Sequence, residues 1–298
     1  MKSTLQHLNS AQPQGPASKG YRALWIHCNY HPERQDRCIR LAEVFLAKAG
    51  LIESSKLVFV DNAAFPSSSA TFPQGRWTRL QGSNTVREFS AWEEGWRHAC
   101  VDSPKPDLVF LSNDTFPYHQ PFSCFLAPLL RFKLLGLLDR GETDWALGLV
   151  ERGFSYQHLN EFITSFFVVL GPDAIVPAMT GMTQLAAGSG LEADNSRGRV
   201  IWSVDPLYES LMNRWLLVPG GGGWYGASAL TEKNFPGLRD KARCLLLEHA
   251  LARRLVSNNV RLVSCFDLPP PLNTWVRRLY RIWEVADRRR RAWRSATP

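Results

Sequence analysis

Short apolar runs alternate with segments of helical periodicity along the first part of the chain. The apolar runs lie at residues 23–28, 56–60 and 107–111, a further short strand is expected at residues 77–80, and apolar side chains recur at helical spacing in residues 38–49 and 90–99. Runs of this length that end at turn residues predict strands, and their alternation with helices predicts parallel pairing. We therefore expect an α/β fold, with a mainly parallel sheet flanked by helices.

The pattern is looser in the second part of the chain. Helices are expected at residues 122–138, 206–217 and 237–256, and a buried strand is expected at residues 162–170. Four consecutive glycines at residues 220–223 precede Trp224 and Tyr225. Because glycine loses the most backbone entropy on ordering, this segment predicts a mobile lid with an aromatic edge that closes on a ligand. A plain surface linker is an equally good interpretation.

The composition is that of an ordinary globular protein, with 45% hydrophobic and 21% charged residues among 298. Residues 1–20 are polar, and we expect a disordered leader there. The six cysteines include no Cys-x-x-Cys pair and no signal-peptide core follows Lys2, which favours a reducing, cytoplasmic setting with free thiols. No uncharged apolar run approaches the roughly 20 residues that span a bilayer.

The formal net charge of +8 belongs mostly to the last 25 residues. Residues 274–298 hold eight arginines against Glu284 and Asp287, whereas residues 1–273 are nearly balanced. The tail also has an apolar stripe at helical spacing, formed by Trp275, Leu279, Ile282, Trp283 and Ala286. We expect a basic amphipathic helix over residues 273–298, after a main domain over residues 21–272.

Three partners fit such a tail helix. Arginine around an apolar face that carries tryptophan is typical of a helix on an anionic membrane surface, which we rank first. Docking on the chain's own main domain, with Trp283 buried, ranks close behind. Nucleic acid ranks third and is not expected, because the nearly balanced main domain offers no basic surface that would continue the tail.

Polar residues follow three of the predicted strands. They are His27 with Asn29, Asp61 with Asn62, and Asn113 with Asp114. Ligands bind at the carboxyl ends of strands in a doubly wound sheet, and the absence of GxGxxG and GxxxxGK[ST] argues against a dinucleotide or P-loop site. A sugar nucleotide held with Mg²⁺ or Mn²⁺ stays open, with Asp61 on the nucleoside side and Asp114 near the diphosphate. Ordinary turn formation is the alternative for each residue taken alone.

The segment from Asn84 to Gly95 brings an amide, a guanidinium and a carboxylate close together in Asn84, Arg87 and Glu88. Ser90 and Glu93 fit a capping box at the start of the following helix, which leaves the first three residues without a local role. We expect those three to contact a nucleotide or its diphosphate.

Taken in order, these segments resemble the donor half of a GT-A glycosyltransferase. The chain is more narrowly similar to the rhamnan synthesis F group of bacterial polysaccharide enzymes, whose members carry Asn-Asp-Ser/Thr at the strand end matched by residues 113–115. Residues 158–167 resemble the group's His-Leu-Gln-Ser-Tyr/Phe-Phe segment, with Asn160 and Glu161 in place of the usual residues. The resemblance covers roughly residues 22–265 and implies a GT-A-like (Rossmann-like) domain that moves a sugar from a nucleotide-sugar donor to an acceptor hydroxyl.

The resemblance also implies roles on the acceptor side. Glu209 lies on the predicted helix where the group presents a carboxylate to the acceptor, and we choose it as the general base, with Glu161 second. His158 would orient the acceptor or bind the metal or the diphosphate. An ion pair between Glu209 and Arg214, and a packing role for His158, are the alternatives.

The donor strand end departs from the GT-A pattern. A GT-A enzyme usually has Asp-x-Asp there, and this chain has Ser112-Asn113-Asp114. Asp114 is therefore the candidate ligand for Mg²⁺ or Mn²⁺, and Arg87 is the alternative partner of the diphosphate. The same replacement favours a competing hypothesis, a non-catalytic glycosyltransferase-like module that binds a glycan or scaffolds a synthase complex.

These features together predict a glycosyltransferase of bacterial surface polysaccharide synthesis, such as lipopolysaccharide. The donor would carry a hexosyl or deoxyhexosyl group, and the acceptor would be a glycan, lipid-linked in the favoured version. The enzyme would be cytoplasmic and peripheral on the inner face of the cytoplasmic membrane.

Overall fold

A seven-stranded sheet forms the centre of the computed structural model, which describes residues 20–63, 76–101, 104–119, 122–156, 159–185, 201–202, 206–217 and 227–296. The strand order is β3-β2-β1-β4-β6-β5-β7. The strands are β1 (Ala23–Asn29), β2 (Ser55–Asp61), β3 (Trp77–Gln81), β4 (Leu108–Asn113), β5 (Trp145–Tyr156), β6 (Leu159–Leu170) and β7 (Arg261–Ser264).

Six of these strands run in one direction, and β6 runs in the other. β1 pairs in parallel with β2 and β4, β2 with β3, and β5 with β7, whereas β6 pairs antiparallel with β4 and β5. The predicted α/β fold with a mainly parallel sheet is confirmed. The register sets Asn29 opposite Asp61 and Cys28 opposite Asn113, so the carboxyl ends of β1, β2 and β4 meet at one edge.

Helices cover both faces of the sheet. One face carries α1 (Gln35–Lys48), the single turn α3 (Phe116–His119), α4 (Ala127–Asp139) and α8 (Leu272–Ala296). The other face carries α2 (Arg87–Cys100), α5 (Pro172–Met179) and α7 (Phe235–Ser257), and α6 (Pro206–Leu216) packs against α7. Within the described residues, no helix is both long and apolar enough to span a bilayer.

The core differs in chemistry between the two faces. The first face is aromatic, and Trp25 stacks on Phe110 at 5.2 Å between ring centroids. Large side chains of this kind each contribute about 1.5–3 kcal/mol when fully buried. On the second face α2 lies very close to β1, because a Cβ at Gly95 would come 2.5 Å from Ile26 Cγ2. The core therefore fixes α2, whose first residues reach the carboxyl edge of the sheet.

The structure adds elements that the apolar pattern does not predict and corrects one helix start. β5, β7 and α5 have no counterpart among the expected elements. α2 begins at Arg87, Ser90 Oγ donates to the Arg87 carbonyl at 2.8 Å, and Glu93 instead accepts from Thr183 N at 2.8 Å. The predicted capping box is therefore wrong, because Ser90 lies inside the helix.

Candidate active site

The candidate site lies where β1, β2 and β4 end side by side. Asn29, Asp61, Asn62, Asn113 and Asp114 are all buried there. The chain beyond β2 stays bound to β1, because Asn62 N donates to the Asn29 carbonyl at 2.8 Å. The chain beyond β4 is bound to β1 in the same way, because Asp114 N donates to the Cys28 carbonyl at 3.0 Å. Parallel pairing therefore brings together polar residues that are far apart in sequence.

Asp61 at the end of β2 is surrounded by donors. Its Oδ2 accepts from Arg79 on the neighbouring strand β3, where the two residues are close in register. Its Oδ1 accepts from Asn29 Nδ2 at 3.4 Å and from Ala63 N at 3.1 Å. Both oxygens of this buried carboxylate are occupied, and its charge is matched by the guanidinium.

The loop after β3 closes over Asn62. Asn62 Nδ2 donates to the Arg87 carbonyl at 3.2 Å and lies 3.5 Å from Asn84 Oδ1. Gly82 packs so tightly here that a Cβ at this position would overlap Asn62 Oδ1. The structure thus brings Asn62, Asn84 and Arg87 together through contacts of the loop with the end of β2.

Arg87 starts α2 with an unusual backbone. Its φ is +54°, in the left-handed region that non-glycine residues rarely adopt. Its guanidinium lies 5.7 Å from the centre of the Tyr30 ring and donates to Asp240 Oδ2 at 3.3 Å. A conformation of this kind costs about 1 kcal/mol and is common at functional sites, where the surrounding structure holds it in place.

Asp114 after β4 has fewer donors than Asp61, and they are the backbone N–H groups of Tyr30 and His31. Its Oδ2 accepts from Tyr30 N at 3.2 Å and lies 3.9 Å from Arg34 Nη1. Its Oδ1 is buried and makes no hydrogen bond of normal geometry to the described residues. Burial raises the pKa of Asp114, although His31 and Arg34 act in the opposite direction. Asn29 Oδ1 and Asn62 Oδ1 at the same edge also lack a partner among the described residues, but Asp114 is the only carboxylate of these three, which makes it the best suited to bind a cation.

Asn113 connects the site to β6. Asn113 Nδ2 donates to the Ser165 carbonyl at 3.3 Å, and Asn113 Oδ1 accepts from Thr115 N at 3.0 Å. Both polar atoms of this amide are therefore engaged within the protein. Asn113 fixes the turn that carries Asp114.

Ser165 also joins two buried carboxyl groups from different helices. Ser165 Oγ donates to Glu88 Oε1 at 2.6 Å, and Ser165 N donates to Glu248 Oε1 at 2.7 Å. Burial raises the pKa of Glu248 to about 7, and the neighbouring Glu88 raises it further, while Ser165 and Lys241 lower it. This brace ties α2, β6 and α7 together directly behind Asn113.

His27 is buried in the core instead of facing the edge. It is 1% exposed, its Nδ1 lies 2.9 Å from Ser112 Oγ, and its ring packs against Phe59 and Phe116. Burial lowers the pKa of His27 to about 3, so the ring is neutral at physiological pH. The expected donor-binding role gains no support, because the alternation of β1 turns this side chain toward the aromatic face.

No protein-family model matches the chain, and no curated protein matches its sequence. Among solved structures, it is similar to the mannosyltransferase PcManGT from Pyrobaculum calidifontis in complex with GDP-Man and Mn²⁺. The identity is 12%, the match covers 90% of this chain and 84% of the other, and the TM-score is 0.35. A similarity this low does not assign an activity.

Of the residues expected on the acceptor side, the structure describes Glu161 and Glu209. Glu161 accepts from Arg152 Nε at 3.0 Å on the β5–β6 hairpin, and Arg152 also binds Asp267. Glu209 lies half-buried in the first turn of α6. His158, Trp224 and Tyr225 lie outside the described residues, so their roles stay predictions.

A divalent cation fits this site as a companion of a diphosphate. Among the described residues, no group of three or more histidine, cysteine or carboxylate side chains is arranged to hold a metal ion. Asp114 Oδ1 is a buried oxygen without a partner, and Mg²⁺ is often held by one carboxylate together with substrate phosphates. The residues thus fit a metal that binds between Asp114 and a ligand, and they do not form an all-protein cage.

Sequence reasoning gave no role in the site to Arg79, Ser165 or Glu248. Arg79 could have been found from the sequence, because a charged residue inside a predicted strand indicates a specific partner, and β3 pairs with the strand of Asp61. Glu248 was another, since it follows three leucines on the apolar side of α7. Ser165 gave no signal, because its role depends on the antiparallel position of β6 beside β4.

Proposed function

We propose that the chain is a glycosyltransferase that binds a nucleotide-sugar donor at the carboxyl ends of β1, β2 and β4. The observation that carries the proposal is the buried oxygen Asp114 Oδ1, which has no hydrogen-bond partner among the described residues; the amide oxygens Asn29 Oδ1 and Asn62 Oδ1 of the same cluster also have none. Such an oxygen suits a ligand that brings a cation or a donor group to it. The resemblance at residues 60–62, 84–95 and 107–115 supports a nucleotide sugar as that ligand.

Arg87 is the residue we propose for the diphosphate. Its ion pair with Asp240 lies near the surface, with 32% and 42% of the two side chains exposed. Exposed pairs contribute about 1 kcal/mol or less, so a diphosphate can replace Asp240 at low cost. The guanidinium would then stabilise the negative charge that develops as the nucleoside diphosphate leaves.

A divalent cation, when bound, would supply further positive charge to the departing diphosphate. Asp114 would hold it through Oδ1. On the acceptor side we propose Glu209 as the general base that takes the proton from the acceptor hydroxyl, with Glu161 second. Glu161 is the weaker choice, because its carboxylate already pairs with Arg152.

We also propose the finer assignments as a set. They are a hexosyl or deoxyhexosyl donor, a lipid-linked glycan acceptor, a cytoplasmic location and a place in bacterial surface polysaccharide synthesis. The support for them is the resemblance to the rhamnan synthesis F group. The second candidate function is a non-catalytic glycan-binding or scaffold module, favoured by Asn113, which stands beside Asp114 where a GT-A enzyme usually has Asp-x-Asp and whose Oδ1 accepts from Thr115 N inside the protein.

A donor panel tests the proposal. The protein is incubated with UDP-, GDP-, dTDP- and CMP-sugars, with and without Mn²⁺, and donor hydrolysis and thermal shift are measured. We expect one nucleotide class to bind, and Asp114→Asn to lower hydrolysis by about 100-fold. The matched control is Asp139→Asn, at the exposed end of α4 and away from the carboxyl edge.

Three outcomes separate the candidate functions. Loss of hydrolysis in Asp114→Asn but not in Asp139→Asn supports the donor site. Binding of a glycan without hydrolysis of any donor favours the non-catalytic module. Absence of both hydrolysis and a nucleotide-induced thermal shift in the wild-type protein rules out the enzyme.

A further inference from the structure

One side of α8 is docked on the body of the protein. Tyr280 packs against Phe266 at 4.9 Å and against Phe125 at 6.1 Å between ring centroids. Arg277 lies over the Phe266 ring at 5.4 Å and pairs with Asp267 at 3.7 Å. The self-docking interpretation of the tail therefore holds for this side of the helix.

The predicted apolar stripe lies mostly on a different side of α8. Trp283 stacks on Tyr280 and is partly buried, so it belongs to the docked side. A second row is exposed and has alternating spacings of three and four residues, which keep it on one side of a helix. We call this row the free face of α8, and it consists of Leu272, Trp275, Leu279, Ile282 and Ala286.

The free face exposes large apolar side chains to solvent. Leu272, Trp275, Leu279 and Ile282 are between 51% and 66% exposed, and Val285 beside them is 49% exposed. A contiguous row of this kind marks an interaction surface, whereas single exposed apolar residues need no explanation. The docked side already provides the contact with the body, so the free face is available for another partner.

The charge around the free face decides between partners. Arg278 and Arg281 are exposed on α8, and residues 274–298 carry eight arginines against Glu284 and Asp287. A second copy on the free face would bring two strongly basic segments together, and their repulsion opposes pairing. An anionic lipid surface neutralises the same arginines while it accepts the tryptophan and the aliphatic side chains.

We propose that the free face of α8 binds the surface of an anionic membrane. The helix would lie in the plane of the interface, with its apolar row among the headgroups and its arginines near the lipid phosphates. The inference concerns a surface separate from the candidate active site and does not depend on sugar transfer. Failure of the donor panel would not affect the membrane proposal, and failure of the vesicle experiment would not affect the glycosyltransferase proposal.

Vesicle co-sedimentation of the full-length protein tests the proposal. The vesicles contain phosphatidylcholine alone or phosphatidylcholine mixed with phosphatidylserine, whose negative surface attracts each basic residue by about 1 kcal/mol. The test variant is Leu279→Glu with Ile282→Glu. The matched control is Val101→Glu with Val176→Glu, since both valines are exposed and receive the same change. Val101 follows α2 and Val176 lies on α5, and these helices cover the opposite face of the sheet.

We expect the wild-type protein and the control to bind anionic vesicles, and the test variant to bind them at least about tenfold more weakly. High salt should weaken wild-type binding, because the arginines contribute through charge. Equal binding by all three proteins, or binding to neutral vesicles as strong as to anionic ones, would overturn the proposal. A wild-type dimer that Leu279→Glu with Ile282→Glu makes monomeric, without vesicle binding, would show that a second copy covers the free face.

Discussion

The carboxyl ends of β2 and β4 each present a buried aspartate, and the two are held in opposite ways. At the end of β2, Arg79, Asn29 and Ala63 N occupy both oxygens of Asp61. At the end of β4, one oxygen of Asp114 has no hydrogen-bond partner in the part of the chain that the structure describes, and burial raises the pKa of this carboxyl group. Equal position in a parallel sheet therefore does not mean equal chemistry.

This difference separates a structural aspartate from one that is suited to a ligand. A buried carboxylate whose bonds are complete contributes to stability, and its loss leaves a cation facing an empty position. A buried carboxylate with an open oxygen costs free energy in the folded protein and gains from a ligand. The end of β2 thus shapes the site, and the end of β4 is where we expect binding.

The largest effect should come from the brace behind β4. Glu248 has a pKa of about 7 against an ordinary value of 4.5, so between these pH values the folded protein keeps a proton that the unfolded chain releases. Its contribution to stability is therefore present at low pH and is lost as the pH rises toward 7. Glu248→Gln should gain up to about 3 kcal/mol relative to wild type between pH 4.5 and pH 8.

Urea unfolding of both proteins across that range measures the difference. His27 and His249 have pKa values lowered to about 3 and about 4, so their contribution to stability is lost as the pH falls. That opposite trend occurs in both proteins and cancels in the difference. A stability difference that stays constant with pH would mean that Glu248 is ionised throughout.

The second effect concerns the end of β2. Asp61→Asn removes the charge that Arg79 faces, in a position that is 1% exposed on the aspartate side. We expect a loss of about 2 kcal/mol in the free energy of unfolding, because breaking a largely buried pair leaves the cation uncompensated. Chemical denaturation checks this. A variant as stable as wild type would place Asp61 in the same class as Asp114.

The third prediction is the counterpart at the end of β4. Asp114→Asn should not lower the free energy of unfolding, because burial already disfavours the charged form and the amide keeps an oxygen for Tyr30 N. The same variant should lose donor binding, measured by nucleotide-induced thermal shift. Marked destabilisation would show that Asp114 is needed for folding and would weaken its assignment to a ligand.

The smallest expected effect on stability concerns the strained backbone of Arg87 at the start of α2. Arg87→Gly and Arg87→Ala both remove the guanidinium, but only glycine adopts a φ of +54° without strain. The glycine variant should be about 1 kcal/mol more stable than the alanine variant, with equal loss of donor binding in both. Thermal unfolding of the pair measures the strain, and equal stability would mean that the backbone relaxes elsewhere.

The sequence predicted those parts of the fold that depend on local pattern. β1, β2 and β4 are buried on both faces and read as continuous apolar runs, which pattern analysis detects easily. β5 was not predicted, because Gly148 and Arg152 interrupt its apolar pattern where it pairs irregularly with β6. β7 was not predicted, because it has only four residues.

The candidate site divides in the same way. Asp61, Asn62, Asn113 and Asp114 could be predicted, because strand ends in a parallel sheet meet at one edge. The sequence could not predict which aspartate keeps an oxygen without a hydrogen bond. That depends on Arg79 of β3, which binds Asp61, and on Tyr30 N, which binds Asp114. Contacts between distant elements decide the chemistry, and local periodicity carries no information about them.

α8 begins just beyond β7, at the same edge of the sheet as the candidate site, and Asp267 there binds both Arg152 and Arg277. A helix of 25 residues is about 37 Å long. Laid flat on a bilayer, it would remove the protein's freedom to tilt or to leave the surface, and only sliding and turning in the plane would remain. Two molecules confined in this way meet by a search in two dimensions. The carboxyl end of β4 would then stay at a constant distance from the bilayer surface.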